Sequence, residues 1–246
     1  MDLIRGRVAD ADPALEMAAT HTLLRRASRG ETESALRVFT PTPMVAFGRR
    51  DTNRPGFPRA AAACRAAGFE PVVRASGGRA VACTSSALIV DHVQRDPESL
   101  GGMDARFEDY GAMLADVLHD LGIAARVGEV PGEYCPGAHS VNARGEVKLI
   151  GTAQRMVRDA WLFSSVIVLD DTARLRPLLE VVYDALEVRF DPASVGSIAE
   201  EGARCNDLEP AIIAAYDERF GLGEVGYGRL DEAHGMSEDH RVTAAS

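Results

Sequence analysis

Stretches of helical periodicity alternate with apolar runs too short to be helices, and this alternation constrains the fold more than any other feature of the chain. Asp12-Pro13 reads as the N-cap and first position of a helix over Ala14 to Ala27. A second helix begins near Pro58 and is closed by Gly68; a third, Phe107 to Leu121, is closed by Gly122. Glycine suits both places because it takes the left-handed conformation that ends a helix. Two further helices are predicted at Arg174 to Leu186 and Leu208 to Phe220. Strands are predicted at Ala35 to Phe39, Met44 to Phe47, Pro71 to Arg74, Ala87 to Val90, Ile123 to Val127 and Ala160 to Leu169, with a hairpin around Ala143-Arg144-Gly145. Strands mixed with helices and hairpins imply an α+β fold, a mixed β-sheet flanked by helices. The last fifteen or so residues, rich in Asp, Glu, His and Ser, read as a mobile tail. The expected organisation is therefore one catalytic unit, residues 1–230, followed by a flexible segment, 231–246.

A chain of 246 residues, 46% hydrophobic and 26% charged, can bury a substantial core and has an ordinary globular profile. No run of about 18 apolar residues predicts a membrane span, and Met1 to Arg7 lacks a secretory signal, so the cytoplasm is the default location. A net charge of −10 argues against a general nucleic-acid binder, which needs a basic face for phosphates. Cys64, Cys83, Cys135 and Cys205 are widely spread with no Cys-x-x-Cys pair, so neither a disulfide framework nor a metal site is expected.

The cations are distributed unusually. Lysine and arginine total 27, and Lys148 is the single lysine. Surface cations need only charge and a stem, so arginine replaces lysine at most positions. A position that keeps lysine is one where a planar fork cannot stand in for a compact ammonium, and this marks Lys148 as a candidate site residue.

Three segments carry candidate chemistry. In Val72-Val73-Arg74-Ala75-Ser76-Gly77-Gly78, a Gly-Gly pair after a strand brings backbone N–H groups close to a ligand, while Arg74 and Ser76 add donors. In Gly132-Glu133-Tyr134-Cys135-Pro136-Gly137-Ala138-His139-Ser140-Val141-Asn142, a cysteine in a Pro-Gly loop is a possible nucleophile and His139 a conceivable base. In Lys148-Leu149-Ile150-Gly151-Thr152-Ala153-Gln154-Arg155, Lys148 falls within a strand and Gly151 permits close approach of a backbone or ligand. If the hairpin turns at Arg144-Gly145, Lys148 faces Ser140, and an uninterrupted strand leaves Cys135 on the order of 17 Å away. Pro136-Gly137 must therefore fold the loop back for the two to act together.

In this order the three segments resemble the catalytic domain of the biotin/lipoate protein ligase superfamily, from the first helix through Val168. The first is similar to that family's Arg-x-Ser-Gly-Gly loop and the third to its Lys-x-x-Gly-x-Ala-x-Arg strand. The second resembles the Cys-Pro-Gly-x-x-(Ser/Asp) loop of its octanoyl-transferring amidotransferases. The resemblance implies a class II synthetase-like fold, with Cys135 as the acyl-accepting nucleophile and Lys148 orienting and polarising the acyl carbonyl. It also implies that Arg74, Ser76, Gly77 and Gly78 line the acyl pocket and that Asn142 and Gly151 contribute to substrate binding.

The activity implied first is octanoyl or lipoyl transfer to a lysine of a lipoyl-dependent carrier domain, with no cofactor. Its partners would be acyl carrier protein or the glycine cleavage H protein, and the lipoyl domains of 2-oxoacid dehydrogenases. The alternatives are a lipoate–protein ligase using ATP and Mg²⁺, and a non-catalytic protein that binds acylated carriers. Two departures weigh against the ligase. Arg79 stands where lipoate ligases have a third glycine, and Ala82-Cys83-Thr84-Ser85 replaces their His-Asp pair. An apolar tunnel walled by Val72, Val73 and Val81 should hold the acyl chain. Acidic carriers should dock on a basic patch formed by Arg49, Arg50, Arg54 and Arg59.

Overall fold

The computed structural model describes residues 1–8, 12–98, 101–226 and 232–243. Its first half runs β1 (Asp2–Arg5), α1 (Pro13–Ser28), β2 (Ser34–Phe39), β3 (Met44–Phe47), α2 (Arg49–Thr52), α3 (Phe57–Ala66), β4 (Glu70–Val73), β5 (Val81–Cys83) and β6 (Ala87–Arg95). The second runs α4 (Met103–Asp120), β7 (Ala125–Val127), β8 (Val141–Ala143), β9 (Val147–Val157), β10 (Ala160–Val168), α5 (Thr172–Ala185), α6 (Cys205–Phe220), β11 (Gly223–Glu224) and α7 (Ala233–Met236). Among the described residues, no helix is long and apolar enough to cross a membrane.

Among the described residues the strands form an eight-stranded sheet, in the order β11-β1-β2-β6-β10-β9-β8-β7, and a three-stranded sheet, β4-β3-β5. Both are mixed, with β1 parallel to β2 and β3 parallel to β4. The predicted strands on either side of Thr40-Pro41-Thr42-Pro43 do not pair with each other. The two prolines lack ladder donors, and the turn carries the chain from the large sheet into the small one.

Period-two alternation sorts the large sheet's two faces. Leu36, Val38, Leu88, Val90, Trp161 and Phe163 pack into one cluster with α4 and α6. Their neighbours Ile89, Asp91, Leu162, Ser164 and Val166 point the other way, toward α1 and the small sheet, and it is there that the candidate site lies. α1 starts as its sequence demands: the Asp12 side chain accepts the Ala14 N–H at 3.0 Å and Pro13 fills the first turn. Inside it, Glu16 is fully buried and ion-paired with the equally buried Arg37 of β2.

The C-terminal residues expected to be a mobile tail are docked where they are described. α7 and the short 3₁₀ turn Ser237–His240 pack on α1, and His240 is buried with its Nδ1 2.6 Å from the Val73 carbonyl. The composition is polar, yet a few buried side chains and the Arg241–Asp12 ion pair suffice to hold the segment. Residues 231 and 244–246 lie outside the described residues.

On the α4/α6 face, His92 is fully buried with its ring edge-on to Tyr110, Trp161 and Tyr216. Burial pushes its pKa down to about 3. Such a group stabilises the fold above its unfolded pKa of about 6.5, and the contribution is lost as pH falls through the folded value. Between about pH 6.5 and 5, stability should fall by roughly 1.4 kcal/mol per pH unit on account of His92. Urea unfolding across that range should therefore show a shallower slope in His92→Phe, and equal slopes would contradict this.

Candidate active site

Cys135 sits on the loop between β7 and β8, with a left-handed backbone (φ 45°) that turns its side chain toward the Arg74–Gly78 loop. Its Sγ accepts the Arg79 backbone N–H at 3.1 Å and lies 3.5 Å from Arg74 Nη2. The Arg74 guanidinium also holds its own loop, donating to the carbonyls of Gly77 (3.0 Å), Arg79 (2.7 Å) and Ala46 (3.3 Å). Gly78 makes this approach possible. It has φ 97°, and a Cβ there would stand 2.5 Å from Arg74 Nη2 and 2.6 Å from the Cys135 sulfur.

The Cys135 backbone is held from both sides. Its N–H donates to Tyr183 Oη on α5 at 2.6 Å, and that hydroxyl donates to the Ala80 carbonyl at 3.0 Å. Burial raises the Tyr183 pKa well above its ordinary value, so the phenol keeps the proton it donates. The Cys135 carbonyl accepts Lys148 Nζ at 2.9 Å. Pro136-Gly137 does fold the loop back, and Cys135 and Lys148 meet.

Lys148 is 2% exposed. Its ammonium donates to the carbonyls of Tyr134 (3.1 Å) and Cys135 and pairs with Glu133 at 3.0 Å. Its three donors therefore all engage the 133–135 backbone and the Glu133 carboxylate. The ladder places Lys148 opposite Asn142, not Ser140, because the hairpin closes between Ala143 and Val147. The register then slips: Val141 pairs with Ile150, so Lys148 and Leu149 together span one step of β8. This bulge leaves Leu149 and Ile150 in the same apolar cluster and returns Gly151 to the side of Lys148. A Cβ on Gly151 would lie 3.2 Å from Lys148 Cε, so this glycine makes room for the lysine stem.

Glu133 carried no signal in the sequence beyond standing two residues before Cys135. It is buried, accepts N–H from Gly137 at 3.2 Å and the Ser140 hydroxyl at 2.8 Å, and compensates Lys148. A buried ammonium demands such a partner, and that requirement is the one clue that could have found it. Tyr183 was equally invisible, since a tyrosine on a helix more than forty residues downstream has no motif.

The other predicted residues divide. Ser76 and Arg74 line one cavity; Gly77, Gly78, Cys135 and His139 line a second, of about 250 Å³. The Arg74–Gly78 loop lies between the two. Arg155, the last residue of the β9 motif, ties that strand to the loop by donating to the Ala75 carbonyl at 2.9 Å. The ring of His139 stacks on Phe107, with centroids 4.8 Å apart. Asn142 lines neither cavity. Its Nδ2 donates to the Gly128 carbonyl at 2.8 Å, and its Oδ1 accepts the Gly145 N–H, bracing the hairpin.

Of the three valines expected to wall a tunnel, Val81 lines the first cavity with Met17, Met44, Ala46, Ile89 and Leu162; Val72 and Val73 do not. Val72 is in the core, and the Val73 carbonyl receives His240. The basic patch is likewise smaller than expected. Arg54 and Arg59 bind the carbonyls of Leu186 and Ala185 at the C-terminal end of α5, where cations complement the helix dipole. Arg49 and Arg50 stay exposed beside the Arg79–Asp51 pair.

Comparison with known proteins follows the same lines. The chain is 32% identical over 201 residues to octanoyl-[GcvH]:protein N-octanoyltransferase of Exiguobacterium sibiricum, covering 77% of this chain and 72% of that one. It is 29% identical over 147 residues to the enzyme of the same name from Geobacillus kaustophilus, covering 60% and 52% respectively. The chain thus spans about half the length of several curated relatives it matches. Among solved structures, a lipoate-protein ligase A bound with ATP superposes with a TM-score of 0.71 at 16% identity, over 97% of this chain and 91% of that one. A bi-partite lipoate protein ligase of Thermoplasma acidophilum superposes with a TM-score of 0.69 at 15% identity, over 97% and 90%. These bear out the expected α+β, class II synthetase-like architecture. The lipoyl protein ligase A/B catalytic domain matches residues 12–216, a span that takes in the Arg74–Gly78 loop, Cys135 and Lys148, and the chain belongs to that family.

Proposed function

We propose that this protein is an acyltransferase that moves an octanoyl or lipoyl group between carrier proteins through a thioester on Cys135. The observation that carries the reading is the placement of the Cys135 sulfur beside the wider cavity, facing an N–H and a guanidinium of the loop that borders the narrow one. The sulfur attacks the acyl carbonyl of the donor, the tetrahedral oxyanion collapses with cleavage of the bond to the donor group, and that group leaves with the proton the thiol gave up. A lysine amine of the acceptor domain then attacks the thioester and expels the thiolate. Two displacements replace one difficult transfer, and in the second the thiolate is a good leaving group while the proton lost by the attacking amine returns to the sulfur.

The Arg79 N–H and the Arg74 guanidinium face the Cys135 sulfur itself, where they offset the negative charge that returns to it when the thioester is cleaved. Lys148 acts first as a positioning residue, clamping the carbonyls of the nucleophile loop. To polarise the acyl carbonyl as well, it must hand one of its three bonds to the substrate. The narrow apolar cavity beneath Arg74 and Ser76 takes the acyl chain, and the wider one beside Cys135 takes the carrier's arm. The transferase similarity includes relatives named for acting on GcvH. On this reading donor and acceptor are the glycine cleavage H protein or acyl carrier protein and the lipoyl domains of 2-oxoacid dehydrogenases, meeting in the cytoplasm.

Incubation with octanoyl carrier protein should add one octanoyl group to the protein by intact-mass spectrometry, mapped to Cys135 by peptide analysis. Lipoate-dependent ATP–pyrophosphate exchange that persists in Cys135→Ser would instead establish a ligase using ATP and Mg²⁺. Absence of both reactions would leave a carrier-binding protein. Docking should depend on Arg49 and Arg50. Charge reversal of both should slow association with an acidic carrier roughly tenfold at low salt, read by stopped-flow, with the difference shrinking at high salt.

A further inference from the structure

The acyl cavity has an apolar wall and a polar end, and nothing in the transfer chemistry requires the latter. Asp91 of β6 is 2% exposed and lines this cavity. It stands directly opposite Ser164 in the β6–β10 ladder. Ser164 Oγ donates to its Oδ1 and Thr20 Oγ1, from α1, to its Oδ2, each at 2.5 Å. Behind it Arg37 donates to the same Thr20 hydroxyl at 3.1 Å and pairs with Glu16. The carboxylate is thus held on both oxygens, by buried Thr20 and by half-buried Ser164, and cannot turn away from a ligand.

Its position along the cavity follows from the strand order. Gly151 and Ala153 of β9, beside the lysine and the thiol cavity, pair with Val166 and Ser164 of β10, which pair with Ile89 and Asp91 of β6. A chain that enters near Cys135 and crosses this face meets Asp91 two strands away, about 10 Å across the sheet. Resting on the transfer reading above, we propose that Asp91, held by Thr20 and Ser164, is the specificity-determining floor of the acyl pocket. It caps the length of alkyl chain accepted and favours a hydrogen-bond donor at the chain end.

The physical basis is a reversal of sign at the floor. Each methylene laid against Met17, Met44, Ile89, Leu162 or Val166 tightens binding by roughly fourfold. The first methyl that presses on the carboxylate offers it no hydrogen bond and keeps water from it. Length preference should therefore end in a sharp drop instead of a plateau.

The test is the rate of Cys135 acylation, by intact mass, from carrier proteins bearing hexanoyl, octanoyl, decanoyl, dodecanoyl and ω-hydroxyoctanoyl groups. In the natural protein, the rate should fall at least tenfold between the preferred length and two carbons more. Asp91→Ala should move the drop to chains at least two carbons longer and abolish any advantage of the ω-hydroxyl group. Asp91→Asn, polar and of the same shape, should keep the original cut-off. Ser164→Ala frees one carboxylate oxygen and should broaden the cut-off even if Asp91→Ala does not fold. The same length profile in all folded variants, with Cys135 still acylated, would overturn the floor and leave the transfer reading intact. No acylation of the natural protein by any donor would overturn both.

Discussion

Replacing Cys135 with alanine should abolish acyl transfer, by on the order of 10⁴-fold or more, while leaving the fold in place. Removal of a covalent nucleophile eliminates the pathway instead of weakening it, and losses of this size are the rule for such residues. The fold should survive because the side chain is only partly buried and the change removes a single heavy atom. The loop is held through the Cys135 backbone, whose N–H bonds Tyr183 and whose carbonyl bonds Lys148. The Arg79 N–H loses the sulfur, but Cys135 itself lines the cavity of about 250 Å³, so water can take the place the sulfur leaves. Thermal unfolding within a few degrees of the natural protein, with no octanoyl adduct and no product, is the expected pair of results. Transfer at the natural rate would transfer the nucleophile's role elsewhere. Cys64 and Cys83 are poor candidates for it, since burial pushes both thiols up to about 12.

The second large effect belongs to the buried pair. Lys148→Met should destabilise the protein by about 3–5 kcal/mol, because it leaves the Glu133 carboxylate buried without a cation. Glu133→Gln should cost a comparable amount through the stranded ammonium. The double variant should recover much of the stability, since the charges are removed together, and the non-additivity should appear as a coupling of a few kcal/mol. Transfer should stay lost in Lys148→Met and in the double variant, because no ammonium then bridges the Tyr134 and Cys135 carbonyls. Chemical denaturation of the four proteins, with activity measured on each, separates the two roles. Recovery of activity in the double variant would reduce the pair to a structural prop. Lys148→Arg should not rescue either property, for the stem is already within van der Waals reach of the Gly151 position and the guanidinium fork is wider than an ammonium.

Most of the residues that meet at the candidate site were legible in the sequence. Arg74, Gly78, Cys135 and Lys148 each stand in a short motif whose residue types are needed for a local reason, and all four meet in the fold. The helices were legible too, because caps and glycine stops act over one turn; α4 only begins one turn before its predicted start. What failed had non-local causes. Arg54 and Arg59 read as a docking patch, but the C-terminal end of α5, some 130 residues away in the chain, claims them. The polar residues near the C-terminus read as free, but α1 and Val73 bind them.

By itself, then, the sequence determined which residues of this protein could do chemistry and, through helix periodicity and turn signals, the kind of fold that would carry them. Only the tertiary structure decided which of them come together. A one-residue bulge at Leu149 puts Lys148 on the side of Gly151. A carboxylate that the sequence leaves anonymous, Glu133, becomes the partner that lets the only lysine be buried. The physical reason is the same in both cases. Strand register and ion-pair burial are set by the summed packing of elements far apart in the chain, and no short window of sequence contains that sum.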